Sequence, residues 1–391
     1  MGTKIALTGN HCASRAAALC RPDVIAAYPI TPQSSVVESL ADFVYGGKLD
    51  ARMVQVDCEH SAMSVVQGAA AAGGRVFTAT SAQGLALMYE PYFRMSTLRM
   101  PMVMAIATRE MTSPESIWSG QQDVMSVHDA GWIQMFCESN QEILDMIIQG
   151  YRIAENPDVQ LPVNICYDGF YSSHLVEGVD VPTQEEVDAF LPAYSLPAKL
   201  DPDHPQALDP MTPGALMMHY RRSHLEAMQT ALNVLEDVDQ EFAKAFGRSY
   251  GGAIDTYRLD DAEIALVTIG SMTGTARDAV DIAREKGIRA GLLKLRFFRP
   301  FPAAKVARAL AGKKAFSVVD RSVCFGWNAG PMYVETCAAL KDVDERFSHF
   351  ATIGGLGGAD ISLDHLLTTL DLLNSSRNEP GKKPVNWLMV D

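Results

Sequence analysis

Asp57-Cys58-Glu59-His60-Ser61-Ala62-Met63, running on to Gly68-Ala69-Ala70-Ala71-Ala72-Gly73, is where an extended apolar run gives way to a helix of small residues. Met53–Asp57 reads as a strand, and the Ala/Gly face of Ser61–Ala72 suits a helix lying close against a sheet. A strand feeding directly into a helix is the repeating unit of a parallel, helix-covered sheet. Outward from this stretch the same alternation recurs. Val24–Tyr28, Val76–Thr80, Met102–Thr108 and Pro162–Tyr167 read as strands, with Ser34–Tyr45, Gln83–Met95 and Gln141–Glu155 as helices. The first 180 residues therefore predict an α/β, doubly wound parallel sheet.

The character changes after Asp180. Pro182, Pro192, Pro197, Pro202, Pro205, Pro210 and Pro213 follow in quick succession and block regular structure, which predicts an extended connection wrapping the domain. Helix resumes over Met217–Phe246, amphipathic along its length. From Ala262 the alternation returns, with Glu263–Ile269, Ala290–Leu295 and Ala315–Asp320 as strands. Thr275–Lys286, Ala303–Ala311, Pro331–Leu340 and Leu363–Leu373 read as helices. A chain of 391 residues is more than one core normally serves. The predicted organisation is a first α/β domain over 1–180, a Pro-rich linker and helix over 181–260, and a smaller α/β domain over 261–391.

Composition excludes several roles. A formal net charge of -14 repels phosphate backbones and anionic lipid, and no basic patch offsets it, so neither nucleic acid nor membrane is an expected partner. No apolar run reaches the roughly 18 residues of a membrane span. The start, Met1-Gly-Thr-Lys-Ile-Ala, lacks the basic and apolar regions of a signal peptide, which predicts a cytoplasmic protein. The seven cysteines, at 12, 20, 58, 137, 166, 324 and 337, include no Cys-x-x-Cys pair, so iron–sulfur ligation is expected on another chain.

Three segments bring polar groups to the predicted carboxyl ends of strands, the usual ligand-binding edge of an open α/β sheet. Glu59 stands at one; it would also serve simply as a favourable acid at a helix N-terminus. No second ligand follows at i+4, where Met63 stands, so no metal site is expected. Tyr28-Pro29-Ile30-Thr31-Pro32 is a proline-stiffened turn presenting the Thr31 hydroxyl, or equally an ordinary connection to a helix. Arg109, at the third, suits bidentate capture of a carboxylate, or a surface ion pair with Glu110 or Glu115. The segment Ser113–Val127 reads as a polar loop in which Pro114, Ile117 and Trp118 could form an apolar wall. Ile353-Gly-Gly-Leu-Gly-Gly358 lacks the Lys-Ser/Thr of a phosphate loop, while Asp320-Arg321 and Phe325–Gly330 end a strand where a partner could touch.

Taken in order, Tyr28-Pro-Ile-Thr-Pro32, Glu59-His-Ser-Ala62, Phe77-Thr-Ala-Thr-Ser-Ala-Gln83-Gly84-Leu-Ala-Leu-Met88, Arg109, Ile117-Trp-Ser-Gly-Gln-Gln-Asp123, Asp129-Ala-Gly-Trp132, Tyr167–His174, Leu295–Phe301 and Val319-Asp-Arg321 resemble the alpha subunit of the 2-oxoacid:ferredoxin oxidoreductases. The resemblance covers nearly the whole chain. It implies a thiamine-diphosphate-binding pyrimidine domain followed by a transketolase C-terminal-like domain. It assigns Glu59 to the pyrimidine nitrogen of the cofactor as the catalytic acid, with Pro29, Ile30, Gln83 and Gly84 around that ring. Thr31, Arg109, Tyr28, Ile117 and Trp118 fall at its substrate-binding positions.

The resemblance also implies what lies elsewhere. A Gly-Asp-Gly stretch for Mg²⁺ and diphosphate is missing, since Asp168-Gly169 is preceded by Tyr167 and followed by Phe170. Thiamine diphosphate is then shared with a beta subunit carrying Mg²⁺. A gamma subunit and a ferredoxin-like delta subunit with [4Fe-4S] clusters complete the complex, with a flavin/NAD subunit as an alternative electron exit. CoA is the expected co-substrate. The expected reaction is oxidative decarboxylation of a 2-oxoacid to acyl-CoA. The loop after Arg109 leans to an aromatic substrate, phenylglyoxylate giving benzoyl-CoA, with pyruvate giving acetyl-CoA as the alternative. A non-catalytic scaffold subunit is a remote reading.

Overall fold

The computed structural model describes residues 2–196, 198–343 and 346–389. Pro197, one of the prolines in the linker, lies outside them. The strands in chain order are β1 (Thr3–Thr8), β2 (Val24–Ala27), β3 (Arg52–Gln55), β4 (Val76–Thr80), β5 (Val103–Thr108), β6 (Ile133–Phe136), β7 (Val163–Asp168), β8 (Val176–Val181), β9 (Ile254–Tyr257), β10 (Ile264–Ile269), β11 (Ala290–Leu295), β12 (Phe297–Arg299), β13 (Ala315–Asp320), β14 (Ser348–Ile353), β15 (Gly381–Lys382) and β16 (Asn386–Trp387).

The first sheet has the order β12-β6-β7-β5-β4-β2-β3. All its neighbours are parallel except β12, which pairs antiparallel with β6. Strands β4, β5, β6 and β7 are buried at every position, which is why β4, β5 and β7 read as largely apolar runs. From β2 the chain passes to β3 on one side and later to β4 on the other. The resulting switch point opens a crevice between the carboxyl ends of β2 and β4. Tyr28–Pro32, Asp57–Glu59 and Arg109 each follow a strand of this sheet, so parallel pairing delivers all three to one edge.

Helices Gly9–Leu19, Asn140–Ala154 and Gly214–Phe246 cover one face, with Ala16, Ile147, Leu235 and Phe242 in the core between. Glu59–Ala71 and Tyr89–Thr97 cover the other, where the core runs on into the second sheet. That sheet, β15-β14-β13-β10-β11-β9 with β16 also against β14, is again mainly parallel, only β9 being antiparallel.

Several elements differ from the sequence reading. Gly9–Leu19 is a helix, and β1 and β8 form a separate antiparallel pair. Gln83–Met95 divides into two helices, Ala82–Leu87 and Tyr89–Thr97, meeting at Met88. The proline-rich stretch holds a short helix, Gln184–Phe190, capped by Thr183 with Glu186 reciprocating. The segment Ser113–Val127 is not loop throughout, because Gln122–Ser126 forms a helical turn with Asp123, Val124 and Met125 buried. Met88, Met95, Met100, Met102 and Met104 are core.

Buried charge joins the two halves. Glu142, in the first turn of Asn140–Ala154, accepts from Lys294 Nζ at 2.8 Å and from Arg296 Nε at 2.5 Å, all three being buried. Lys294 also bonds Glu138 at 2.9 Å, and Arg296 donates to the Gly252 carbonyl at 2.6 Å. Burial alone would push the Glu142 carboxyl up, but the two cations outweigh it and hold it at about 2. A carboxyl that ionises more readily in the folded chain stabilises the fold above its ordinary value of 4.5, and that contribution drains as pH falls towards 2. We expect Glu142→Gln to cost roughly 3–5 kcal/mol at neutral pH, because it leaves buried Arg296 with no carboxylate and Lys294 with Glu138 alone. It should also flatten the decline in stability below pH 4.5, read by urea unfolding across a pH series.

Candidate active site

The crevice is built from four strand ends. β2 runs into Tyr28–Pro32, β3 into Asp57–Glu59, β4 into Ser81–Gly84 and β5 into Arg109. Glu59 is the first residue of its helix and only 6% exposed. Its carboxylate has no side-chain partner among the described residues, its one hydrogen bond coming from its own amide, and burial pushes it above its ordinary value. Opposite lies Gly84, where an added Cβ would overlap Thr80 Oγ1 and come within 2.6 Å of Glu59 Oε1. Thr80 Oγ1 is itself buried without a hydrogen-bond partner. The missing side chain at Gly84 therefore lets a carboxyl and an unsatisfied hydroxyl close directly against its backbone. Buried polar atoms left unpaired in this way point to a ligand that completes them.

Arg109, 4% exposed, spans the crevice mouth. One terminal nitrogen donates to the Thr31 carbonyl at 2.6 Å, and the other to Gln83 Oε1 at 2.8 Å and Glu115 Oε1 at 3.3 Å. The structure thus brings Thr31, Gln83, Gly84, Glu59 and Arg109 together, with Tyr28, Pro29 and Ile30 on the adjoining turn. Thr31 reaches Arg109 through its carbonyl, while its side chain stays at the exposed rim. The Arg109–Glu115 pair exists but is not a surface pair, since the guanidinium is buried; Glu110 turns away towards the second sheet. Ile117 and Trp118 stand 36% and 53% exposed beyond Glu115.

Sequence reasoning passed over Asp123. Its fully buried carboxylate accepts from the amides of Ala82 at 3.0 Å, Arg109 at 3.1 Å and Val124 at 2.8 Å. One oxygen so holds the turn carrying Gln83 and Gly84 against the residue carrying the guanidinium. Ala82, at φ 41°, occupies a left-handed conformation costly for a residue with a Cβ, and the tie to Asp123 helps hold it there. Burial pushes the Asp123 carboxyl up to about 7 against the pull of the three amides. The only signal was an acid directly followed by the apolar pair Val124-Met125.

Asp168, at the end of β7, is likewise internal. It accepts from the Ser271 amide at 2.9 Å and pairs with Arg321 at 3.2 Å, both at strand ends of the second sheet. Asp320 accepts from the amides of Met332 and Tyr333. Asp320 and Arg321 are therefore spent within the chain rather than offered to a partner; Phe325 and Trp327 beside them are exposed.

A doubly wound sheet with an unsatisfied carboxyl and a buried cation at its switch point defines the class of α/β proteins that hold a cofactor and a small anion at the sheet edge. Residues 15–240 match the family described as pyruvate flavodoxin/ferredoxin oxidoreductase, thiamine-diphosphate-binding, and residues 262–366 match pyruvate:ferredoxin oxidoreductase core domain II. The alpha subunit of NADH-dependent phenylglyoxylate dehydrogenase from Aromatoleum evansii is 47% identical over 93% of this chain and 89% of its own length. Pyruvate synthase subunit PorA from Methanocaldococcus jannaschii is 44% identical over 95% of each chain. The solved 2-oxoglutarate:ferredoxin oxidoreductase from Magnetococcus marinus shares the fold, with a TM-score of 0.74 at 18% identity over 94% of this chain and 65% of that one. The chain belongs to the pyruvate flavodoxin/ferredoxin oxidoreductase family, as an alpha subunit of the 2-oxoacid:ferredoxin oxidoreductase type. It is part of an oxidoreductase acting on 2-oxoacids.

Removing the Asp123 carboxylate leaves three buried amides without an acceptor, each costing about 1–3 kcal/mol. We expect Asp123→Ala to lower unfolding free energy by about 3 kcal/mol or more. Asp123→Asn, which keeps one acceptor oxygen, should fall between. Urea unfolding of the two variants against the parent decides it.

Proposed function

We propose that this chain supplies the pyrimidine side of a thiamine-diphosphate site in a heteromeric enzyme that oxidatively decarboxylates an aromatic 2-oxoacid with CoA. The reaction converts R-CO-COO⁻ and CoA-SH to R-CO-S-CoA, CO₂, two electrons and a proton. The observation that carries the reading is the buried Glu59 carboxyl, without a side-chain partner among the described residues, packed beside Gly84 and the unsatisfied Thr80 hydroxyl in the crevice. Burial shifts the Glu59 carboxyl towards its protonated form, the form that donates a hydrogen bond to a ring nitrogen, which is the partner thiamine offers. Pro29, Ile30, Gln83 and Gly84 border that crevice. Thiamine diphosphate, when bound, supplies the carbon nucleophile and electron sink that decarboxylation needs.

Arg109 then holds the substrate carboxylate. Glu115 already places a carboxylate on its guanidinium, also bonded by Thr112 Oγ1 at 2.9 Å, which supports a carboxylate-binding role for Arg109. Glu115 is exposed and its bonds to Arg109 and Gln83 are 3.2 Å or longer, and a substrate carboxylate takes its place on the guanidinium. Tyr28 and Thr31 face the same mouth, and Ile117 and Trp118 wall it against water. An aromatic ring fits that indole, and the relative at 47% identity is named for phenylglyoxylate. The second reading is pyruvate, favoured by the relatives named pyruvate synthase at up to 44%.

Residues 1–180 act as the pyrimidine-binding domain, 181–260 as linker and helix, and 261–391 as the C-terminal domain. A beta subunit brings the diphosphate and Mg²⁺, and gamma and ferredoxin-like delta subunits, the latter with [4Fe-4S] clusters, take the electrons in the cytoplasm. The scattered placing of the seven cysteines supports clusters on partner chains.

The first test is CoA-dependent viologen reduction by the purified native complex with phenylglyoxylate, pyruvate, 2-oxoisovalerate and oxalate in parallel. Preference for phenylglyoxylate supports the aromatic reading; preference for pyruvate replaces it with the second. Arg109→Ala should lower turnover on every 2-oxoacid by roughly 10²-fold, and near-parental kinetics would remove Arg109 from the site. Glu59→Gln should abolish activity while the subunits still copurify.

A further inference from the structure

In the glycine-rich run Gly354–Gly358, which follows β14, three amides are committed to the protein, that of Gly354 donating to the Asp320 carbonyl at 3.1 Å. Gly357 N donates to Glu110 Oε1 at 3.1 Å, and Gly358 N donates to the Ser119 carbonyl at 2.7 Å. Glu110 and Ser119 are the two ends of the exposed segment that carries Glu115, Ile117 and Trp118. The ends are also closed on each other, the Glu110 amide donating to the Trp118 carbonyl at 3.3 Å.

The fit is close on the glycine side. A Cβ on Gly358, which sits at φ +75°, would lie 2.6 Å from Trp118 Cβ. One on Gly355, at φ +73°, would lie 2.7 Å from Arg321 Nε, and Arg321 in turn donates to Ser119 Oγ at 3.1 Å. Tyr171 OH holds the Gly358 carbonyl at 2.9 Å from the first half of the chain. The strand-end loops of the second sheet therefore grip both ends of a segment belonging to the first.

We propose that the 354–358 loop is the seat of the pocket wall, and that Glu110, Gly357, Gly358 and Arg321 are positioning residues that set substrate preference by fixing Trp118. The wall's contact with substrate rests on the function proposed above; the seating does not. In this arrangement the C-terminal domain, remote from the reacting atoms, determines which 2-oxoacid fits.

The test uses the native complex carrying Gly358→Ala or Glu110→Ala, with Gly287→Ala as a control. Gly287 also lies in the second half at positive φ, +81°, but its Cβ would meet nothing within 4 Å. Hydrogen–deuterium exchange of residues 111–118 should rise several-fold in the first two variants and not in the control. KM for the preferred 2-oxoacid should rise about tenfold, with kcat changed less than threefold and the ranking of aromatic against small substrates altered. Unchanged exchange in both variants would overturn the seat. Faster exchange with parental KM and ranking would uphold the seat and overturn the substrate-wall reading, so the two fail separately.

Discussion

Everything at the crevice depends on Glu142 being ionised inside the protein. Its carboxylate is the counter-charge that lets Lys294 and Arg296, two cations on the second half of the chain, be buried against the first. An isolated charge in that position would be far too costly to bury, so the two halves are held in one relative placement or not at all. That placement sets the strand ends of β10 and β13 against the end of β7, where Asp168 meets Ser271 and Arg321. Two sheets with ligand-binding edges thus abut, and only the first keeps an open crevice.

Within the crevice, a division of labour separates groups with unmet bonding from groups that are fully bonded. Glu59, Thr80 Oγ1 and Arg109 Nε have capacity to spare, whereas Asp123 and Asp168 have theirs met by amides and cations of the chain. In one buried region, four acidic or cationic side chains sort into those that await a ligand and those that fix the geometry in which it is received. The distinction rests on hydrogen-bond partners, because all four are buried to a similar degree.

That distinction also marks how far the sequence could be read. Strands such as Val76–Thr80 and Val103–Thr108 announce themselves because burial on both faces demands largely apolar runs, and Glu59, Thr31 and Arg109 stood out because polar residues interrupt such runs at their ends. Asp123 and Glu142 did not, since a buried acid is spelled like a solvated one. What identifies Glu142 is Lys294, 152 residues away, a partnership that only the fold creates. Short elements escaped for a related reason. Ile133–Phe136 is only four residues long and carries Gln134 in its middle, and Gln184–Phe190 is a helix made by its capping box inside a proline-rich run. The glycines of 354–358 were visible as a motif, but their use depends on Trp118 and Glu110 lying opposite.

The pairing of β12 with β6 has a consequence of a different kind. Phe297–Arg299 covers the hydrogen-bonding edge of the first sheet with a strand made more than a hundred residues later, from the other half of the chain. A polypeptide ending near residue 260 would have every other strand of the first sheet, yet would carry Ile133–Phe136, apolar but for Gln134, as a bare edge open to any other strand that came within reach. During synthesis the nascent first half stands in that state until the ribosome has delivered β12. The chain is therefore one folding unit despite its two sheets, and severing it at the linker would yield a sticky fragment in place of a working half.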